Sequence, residues 1–331
     1  MSRKKTPTPN WVHWCQFALL RAAMAVFLMF PPDWDLVTAR VFGWVWYKTM
    51  RRHRERAREN LLAAFGQNLS EEQILRMTRR SMQQMAMMAM ELFLTPRRIT
   101  EWNWPRHVRL TQMGPVVEIL LKRKGAVMLT GHFGNWELLG YMLATLGFDI
   151  FAVMRPLDNP YLNTYLEQTR GRRGLKLIYK KGATVRADDI LRSGGTLCFI
   201  ADQDAGRKGI FVDFFGRPAS TYKSIGLLAI AHNVPVIVGY ARRLTLGFQY
   251  EIGVTRVIHP HEWKAQPDEL RWLTQEYSRA MEAFIRADPD QYLWVHRRWK
   301  SEPRARKRRA PVAAVDAAEP APAVRSSEGG S

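Results

Sequence analysis

The segment Val127-Met-Leu-Thr-Gly-His-Phe-Gly-Asn-Trp-Glu-Leu-Leu-Gly140 carries the residue types best suited to chemistry. It sets His132 in a turn flanked by Gly131 and Gly134, between an apolar run and a helical one. On one continuous helix, His132 and Glu137 would stand about 140° apart at 3.6 residues per turn and would not face each other. A turn at 131–134, with Glu137 in the first turn of the next helix, instead lets the carboxylate fold back towards the imidazole. One ring nitrogen would then take a proton from an attacking hydroxyl. Glu137 would hold the other N–H, fix the tautomer and stabilise the imidazolium. Such a base needs no protein nucleophile. The plain alternative is a packed or helix-capping histidine beside a carboxylate that complements a helix dipole. The strand, the paired glycines and Trp136 favour catalysis.

Arg155 and Arg170 carry planar donor forks that could stabilise an oxyanion or grip phosphate, although each also reads as an ordinary solvated charge. Asp202 and Asp204 follow an apolar strand, a common place for polar site residues in α/β proteins, where they would orient an acceptor or balance Arg170. They fit poorly as a glycosidase pair, because only Gln203 separates them and no distant acid is marked. Thr221 reads as the cap of a following helix. Phe211, Phe214 and Phe215 suit an apolar acyl channel, with core packing the commoner role for any one of them. A serine hydrolase would need a Gly-x-Ser-x-Gly elbow, and none occurs. The His132-x4-Glu137 spacing also lacks the i, i+4 geometry of a zinc-binding His-Glu-x-x-His helix. No metal and no cofactor are expected.

Positioning these groups requires a sheet. From about residue 105 to 300, short apolar runs alternate with helical ones, which predicts an α/β fold. Strands are expected at 126–130, 150–154, 175–178, 196–201, 235–240 and 249–257, and helices at 136–146, 161–172, 184–192, 223–232 and 269–285. Alternation near the end would put Tyr292, Trp294, His296 and Arg298 on one face of a strand, with no chemistry assigned to it. Before the sheet, a helix is expected from 70 to 94, opened by the capping-box pattern Ser70-Glu-Glu-Gln73 and ended by Pro96. Its Met82, Met85, Met87, Met88 and Met90 read as core, or as a surface that adapts to acyl chains.

The N-terminal region differs in kind. An apolar segment, 11–30, is closed by Pro31-Pro32 and followed by the aromatic stretch 42–47, which argues against a cleaved signal peptide. Its uninterrupted apolar run, 22–30, is short for a span of about 20 residues, so a monotopic helix pair or a marginal single span is expected. Lys48, Arg51, Arg52, Arg54, Arg56 and Arg58 follow, against only Glu55. They outweigh Arg3, Lys4 and Lys5 and predict a body on the cytoplasmic side of a membrane. The formal charge of +20 and pI near 10.4 suit nucleic acid, anionic lipid or an acidic protein; the placement of this cluster favours lipid. Trp11, Trp14, Trp34, Trp44 and Trp46 would suit a headgroup layer. With only Cys15 and Cys198, far apart, no disulfide framework and no cysteine metal site are expected. After Lys300 an Ala/Pro/Ser/Gly-rich tail is expected to be disordered. It contributes only +2 of the +20.

The segment Gly131-His-Phe-Gly-Asn-Trp-Glu137 resembles the His-x4-Asp/Glu motif of glycerolipid-type acyltransferases. More specifically, it is similar to that of the bacterial lipid A biosynthesis late acyltransferases, the lauroyl/myristoyl transferase family. The resemblance continues, in order, through Arg155-Pro-Leu-Asp-Asn159, Arg170-x-x-x-Gly174, Ala201-Asp-Gln-Asp-Ala-Gly206, Phe214-Phe-Gly-Arg-Pro-Ala219 with Thr221, and Pro289-Asp-Gln-Tyr-Leu-Trp-Val-His-Arg-Arg-Trp-Lys300. Each motif is weak alone; six in order are specific. The resemblance implies a mixed central sheet flanked by helices and an N-terminal membrane-associated helical segment. The expected division is 1–60 as anchor, 61–300 as catalytic domain and 301–331 as tail. It further implies O-acyl transfer from acyl-carrier protein or acyl-CoA to a hydroxyl of a lipid A precursor at the cytoplasmic face of the inner membrane. His132 and Glu137 would be catalytic, and Arg155, Arg170, Asp202, Asp204 and Thr221 substrate-binding. The rivals are an acyltransferase for another lipid, such as a phosphoinositide mannoside or ornithine lipid, and a basic nucleic-acid-binding protein. No nucleic-acid module accompanies the charge, so no nucleic-acid partner is expected.

Overall fold

A computed structural model describes residues 8–66, 68–179 and 183–303. The expected tail from 304 onwards and Arg3, Lys4 and Lys5 lie outside the described residues. Four helices come first: α1 (Asn10–Phe27), α2 (Pro32–Thr49), α3 (Arg51–Phe65) and α4 (Glu71–Arg98). Strands and helices then alternate: β1 (Val108–Thr111), α5 (Gly114–Leu121), β2 (Ala126–Thr130), α6 (Trp136–Thr145), β3 (Ile150–Met154), α7 (Pro160–Gly171), β4 (Lys176–Tyr179), α8 (Ala183–Arg192) and β5 (Thr196–Ile200). The hairpin β6 (Ile210–Phe214) and β7 (Arg217–Thr221) leads to α9 (Lys223–His232), β8 (Val236–Arg243), β9 (Tyr250–Ile258), α10 (Pro260–Lys264) and α11 (Glu269–Ala287).

Seven strands form one mixed sheet in the order β1-β9-β8-β2-β5-β3-β4. Neighbours are parallel except β8 and β9, which pair antiparallel. The centre of the sheet is covered on both faces, so β2 is buried at every position and reads as a continuous apolar run. Its Val127 and Leu129 face a core shared with α3, α8, α9 and α11, while Ala126 and Met128 face one shared with α2, α5 and α6. The helix α4 serves both cores, through Ile74 on one side and Met87 and Leu94 on the other.

Local chemistry explains the ends of α4. The Ser70 hydroxyl accepts from Gln73 N–H and the Gln73 side chain accepts from Ser70 N–H, the expected reciprocal cap. The C-terminal expectation is corrected: the helix passes through Pro96 to Arg98. A proline in the last turn forfeits one ladder bond without ending the helix. Met82, Met87 and Met88 are buried, as core residues should be.

Two further expectations are corrected. The closing motif is not a strand; successive turns, with Trp294 N–H donating to Tyr292 O and His296 N–H to Leu293 O, fold Tyr292, Trp294 and Arg298 inwards. Thr221 does not cap α9, whose N-cap position is Tyr222. Thr221 ends β7, fully buried.

The N-terminal helices dock by one side. Phe17 of α1 packs on Tyr161 and Tyr165 of α7, and the Asn159 amide donates to His13 O at 2.9 Å. At Gly43, α2 approaches α4 so closely that a Cβ would lie 2.5 Å from Gln83 Cα. Their other faces leave Trp11, Leu19, Trp34, Val37, Val41 and Phe42 exposed, as is Met29 in the loop between them. Among the described residues no helix is long and apolar enough to cross a membrane.

Candidate active site

β2 and β5 pair in parallel, with Thr130 opposite Ile200, and each chain continues two residues past that pair. His132 and Asp202 therefore arrive side by side at the carboxyl ends of adjacent central strands, where open α/β sheets commonly place their sites. The Asp202 carboxylate clamps His132 twice: Oδ2 accepts from its backbone N–H at 2.8 Å and Oδ1 lies 2.7 Å from the ring Nδ1. Gly131 permits this approach, since a Cβ there would meet Asp202 Oδ2 at 3.3 Å.

The turn is held from three directions. His132 O accepts from Leu293 N–H, Gly134 N–H donates to Gln291 O, and Asn135 N–H donates to Ala241 O at the end of β8. Asn135 then caps α6 by accepting from Leu138 N–H, and its amide donates to the buried Glu91 at 3.0 Å. Gly134 has φ +55°, and a Cβ there would collide with Ala241 O. Gly134→Ala is accordingly expected to cost at least about 1–2 kcal/mol from the left-handed backbone alone. Activity should fall with stability, because the same turn carries His132. A variant that melts and turns over like wild type would show that the turn tolerates a side chain.

Both partners are buried, and their charges govern them. Burial opposes the imidazolium, but the Asp202 charge and hydrogen bond, helped by the Glu137 charge, raise the His132 pKa above its ordinary value. Burial likewise favours a protonated Asp202, yet the His132 charge and hydrogen bonds and the His296 charge hold its carboxyl well below the usual range. Asp202 is thus ionised, and Nδ1–H donates to it. Nε2 receives no hydrogen bond from the described residues. The Trp136 ring stands edge-on to His132, and His296 stacks on it with centroids 6.0 Å apart.

Glu137 does not turn back to the imidazole. Its two oxygens accept from Arg170 Nε and Nη2 at 2.8 and 2.6 Å, tying the start of α6 to the last turn of α7. The reason is geometric: Asp202 already occupies Nδ1, and Arg170 offers a matching fork. Arg170, expected opposite Asp202 or Asp204, is committed to Glu137 instead. Asp204 accepts from Ser301 and from Gly206 N–H. The Thr221 hydroxyl accepts from the buried Arg298 at 2.7 Å. Arg155 stands exposed beside Asp158, 4.0 Å away. Phe214 and Phe215 are core residues. Sequence reasoning assigned no role to Glu91, Arg243, Gln291, His296 and Arg298, which lie far from His132 in the chain. Asp202 did carry one usable signal, its place just after an apolar strand, as His132 stands just after another.

Over residues 3–301 the chain matches the family described as bacterial lipid A biosynthesis acyltransferase. It is 24% identical over 302 residues to the lipid A biosynthesis lauroyltransferase of Escherichia coli (strain K12), covering 88% of this chain and 92% of that protein. It is 27% identical over 263 residues to the lipid A biosynthesis palmitoleoyltransferase of the same organism, covering 77% and 81%. With a lipid A biosynthesis acyltransferase of Haemophilus influenzae the identity is 28% over 304 residues, covering 88% and 91%. The match takes in α1 through the closing turns and so includes every element that holds His132. The chain therefore belongs to the bacterial lipid A biosynthesis acyltransferase family and is an acyltransferase.

Proposed function

We propose that the protein moves a fatty acyl group from a thioester donor, acyl-carrier protein or acyl-CoA, to a hydroxyl of a lipid A precursor. The observation that carries this reading is the His132–Asp202 pair, with Nδ1 engaged and Nε2 left without a protein partner. Nε2 takes the proton from the acceptor hydroxyl as its oxygen attacks the thioester carbonyl. The tetrahedral intermediate collapses, the C–S bond breaks, and the imidazolium returns the proton to the departing thiolate. Asp202 holds the tautomer and offsets the transient charge. Glu137 acts through Arg170, pinning α6 to α7 beside the imidazole. Burial of His132 and Asp202 limits competing attack by water. Arg155, exposed, supplies a polar contact for the acceptor.

The reaction is placed at the cytoplasmic face of the inner membrane. Exposed tryptophans and aliphatic side chains of α1 and α2, next to Arg51 and Arg52, suit helices lying in the headgroup layer. Mass spectrometry of total lipids, from cells lacking the protein and cells complemented with wild type or His132→Ala, tests the whole reading. Wild type should restore an acylated lipid A species and fractionate with membranes, and His132→Ala should restore none. Equal restoration by the variant would end the proposed mechanism, and recovery of the protein in the soluble fraction would end its placement.

A further inference from the structure

An open cavity of about 360 Å³ is lined by Arg56, Asp204, Val295, His296, Arg297 and Lys300, and His296 stands between it and His132. His296 belongs to both places. Its ring stacks on His132 with 23° between the planes, it lines the cavity, and its Nε2 is buried with no hydrogen-bond partner among the described residues.

The cations of this cavity are unspent. Two residues along α3 from Arg56, Arg58 pairs with Glu71 at 2.7 Å; Arg56, Arg297 and Lys300 form no ion pair among the described residues. Burial, and then the nearby charges of Arg297 and Arg52, lower the Arg56 pKa from its ordinary value despite the opposing Glu59 charge, so like charges are held together. The one carboxylate in the wall, Asp204, is taken up by Ser301 and Gly206 N–H.

The wall is also firmly built. Asn60 of α3 donates to both Trp294 O and His296 O, at 2.7 and 2.8 Å, and Arg56 reaches Val295 O at 3.4 Å. These bonds fix the closing segment against α3 and bring together cations that are about 240 residues apart in the chain. Grouping like charges beside a reacting imidazole costs stability unless an anion joins them.

We propose that this cavity is a phosphate-binding subsite, holding a phosphate of one substrate while the reacting atom of that substrate sits at His132. A phosphate presents more acceptor oxygens than a carboxylate to donors converging from several sides, and guanidinium forks match it. The inference rests on the acyl-transfer reading. Two substrates carry this chemistry: a phosphorylated acceptor headgroup, and the phosphodiester of a pantetheine thioester donor.

Full-length Arg56→Ala and Arg297→Ala, with Lys264→Ala as an exposed charge-loss control outside the cavity, separate the cases. In each arginine variant KM for the phosphate-bearing substrate should rise about tenfold or more, equivalent to at least about 1.4 kcal/mol, with kcat falling less. Lys264→Ala should match wild type. A rise for a phosphorylated glycolipid acceptor, absent for the same lipid after dephosphorylation, assigns the site to the headgroup. A rise for the acyl-carrier or CoA thioester assigns it to the donor. Calorimetry with inorganic pyrophosphate reads the site without turnover, and binding should weaken at least about tenfold in Arg297→Ala. Unchanged KM for both substrates in an active enzyme overturns the proposal. So does pyrophosphate binding that is equal in variant and wild type, or undetectable in wild type. A wild type that binds pyrophosphate at these arginines but transfers no acyl group would overturn the acyl-transfer reading and keep the subsite.

Discussion

Asp202→Asn should lower kcat/KM by about 10²–10⁴-fold and move the acid limb of its pH profile to lower pH. The Asp202 carboxylate is bonded to His132 at both the ring and the backbone, and its charge is the main influence that raises the His132 pKa against burial. A general base works in its neutral form, so wild-type activity should grow as pH rises through a His132 pKa above 6.5. Without the charge, burial dominates and the pKa falls, so more of the base is neutral at mild acidity. The variant nonetheless turns over slowly, because asparagine neither fixes the Nδ1–H tautomer nor balances the imidazolium. Glu137→Gln should shift the limb in the same direction by less, since the Glu137 charge is a lesser influence on His132 and its bonds go to Arg170. An Asp202→Asn enzyme with an unmoved acid limb and near-wild-type kcat/KM would remove Asp202 from the mechanism.

The contrast between these two carboxylates shows what sequence can carry. Strand β2 was legible because a strand covered on both faces must be apolar throughout, and α4 because its cap is written in four adjacent residues. His132 was legible because glycines at 131 and 134 mark a turn between strand and helix. Its partner was not, because the pairing of β2 with β5 joins segments 70 residues apart, and no local pattern states which strands are neighbours. Proximity in sequence therefore favoured Glu137, while register delivered Asp202. The four-residue β1 and the β6–β7 hairpin went unread for another reason. Such short strands offer little alternation, although Phe215 and Gly216, both at positive φ, mark the turn between β6 and β7. The closing motif alternates like a strand, yet packing against α3 and the turn at 132–134 draws its large side chains in without a ladder.

Removing either partner of the buried Glu91–Arg243 pair should destabilise the protein by about 3–5 kcal/mol, lowering Tm on the order of 10 °C. Glu91 of α4 is fully buried and Arg243, at the end of β8, is 4% exposed. Burial works against the Arg243 charge, but the Glu91 charge, together with Tyr250 and the hydrogen bonds to both, outweighs it and keeps the guanidinium pKa above its ordinary value. Among the described residues, Glu91→Ala would leave that cation with only the Gln84 amide oxygen and the Tyr250 hydroxyl as side-chain acceptors. Arg243→Ala would strand the carboxylate. The loss should reach the turn that carries His132, because the same Glu91 accepts from Asn135, which caps α6. On the other side, Gln291 bonds the Arg243 backbone through its amide and accepts from Gly134 N–H through its carbonyl. The pair thus braces both flanks of the segment that carries His132. Replacing the pair by Leu and Met together should destabilise less than the worse single change, since no charge is then left unpaired. Asn135 would still lose its acceptor, so this double variant should regain stability without regaining full activity. Thermal unfolding decides the matter: single variants melting within about 2 °C of wild type would mean that the pair contributes under about 1 kcal/mol.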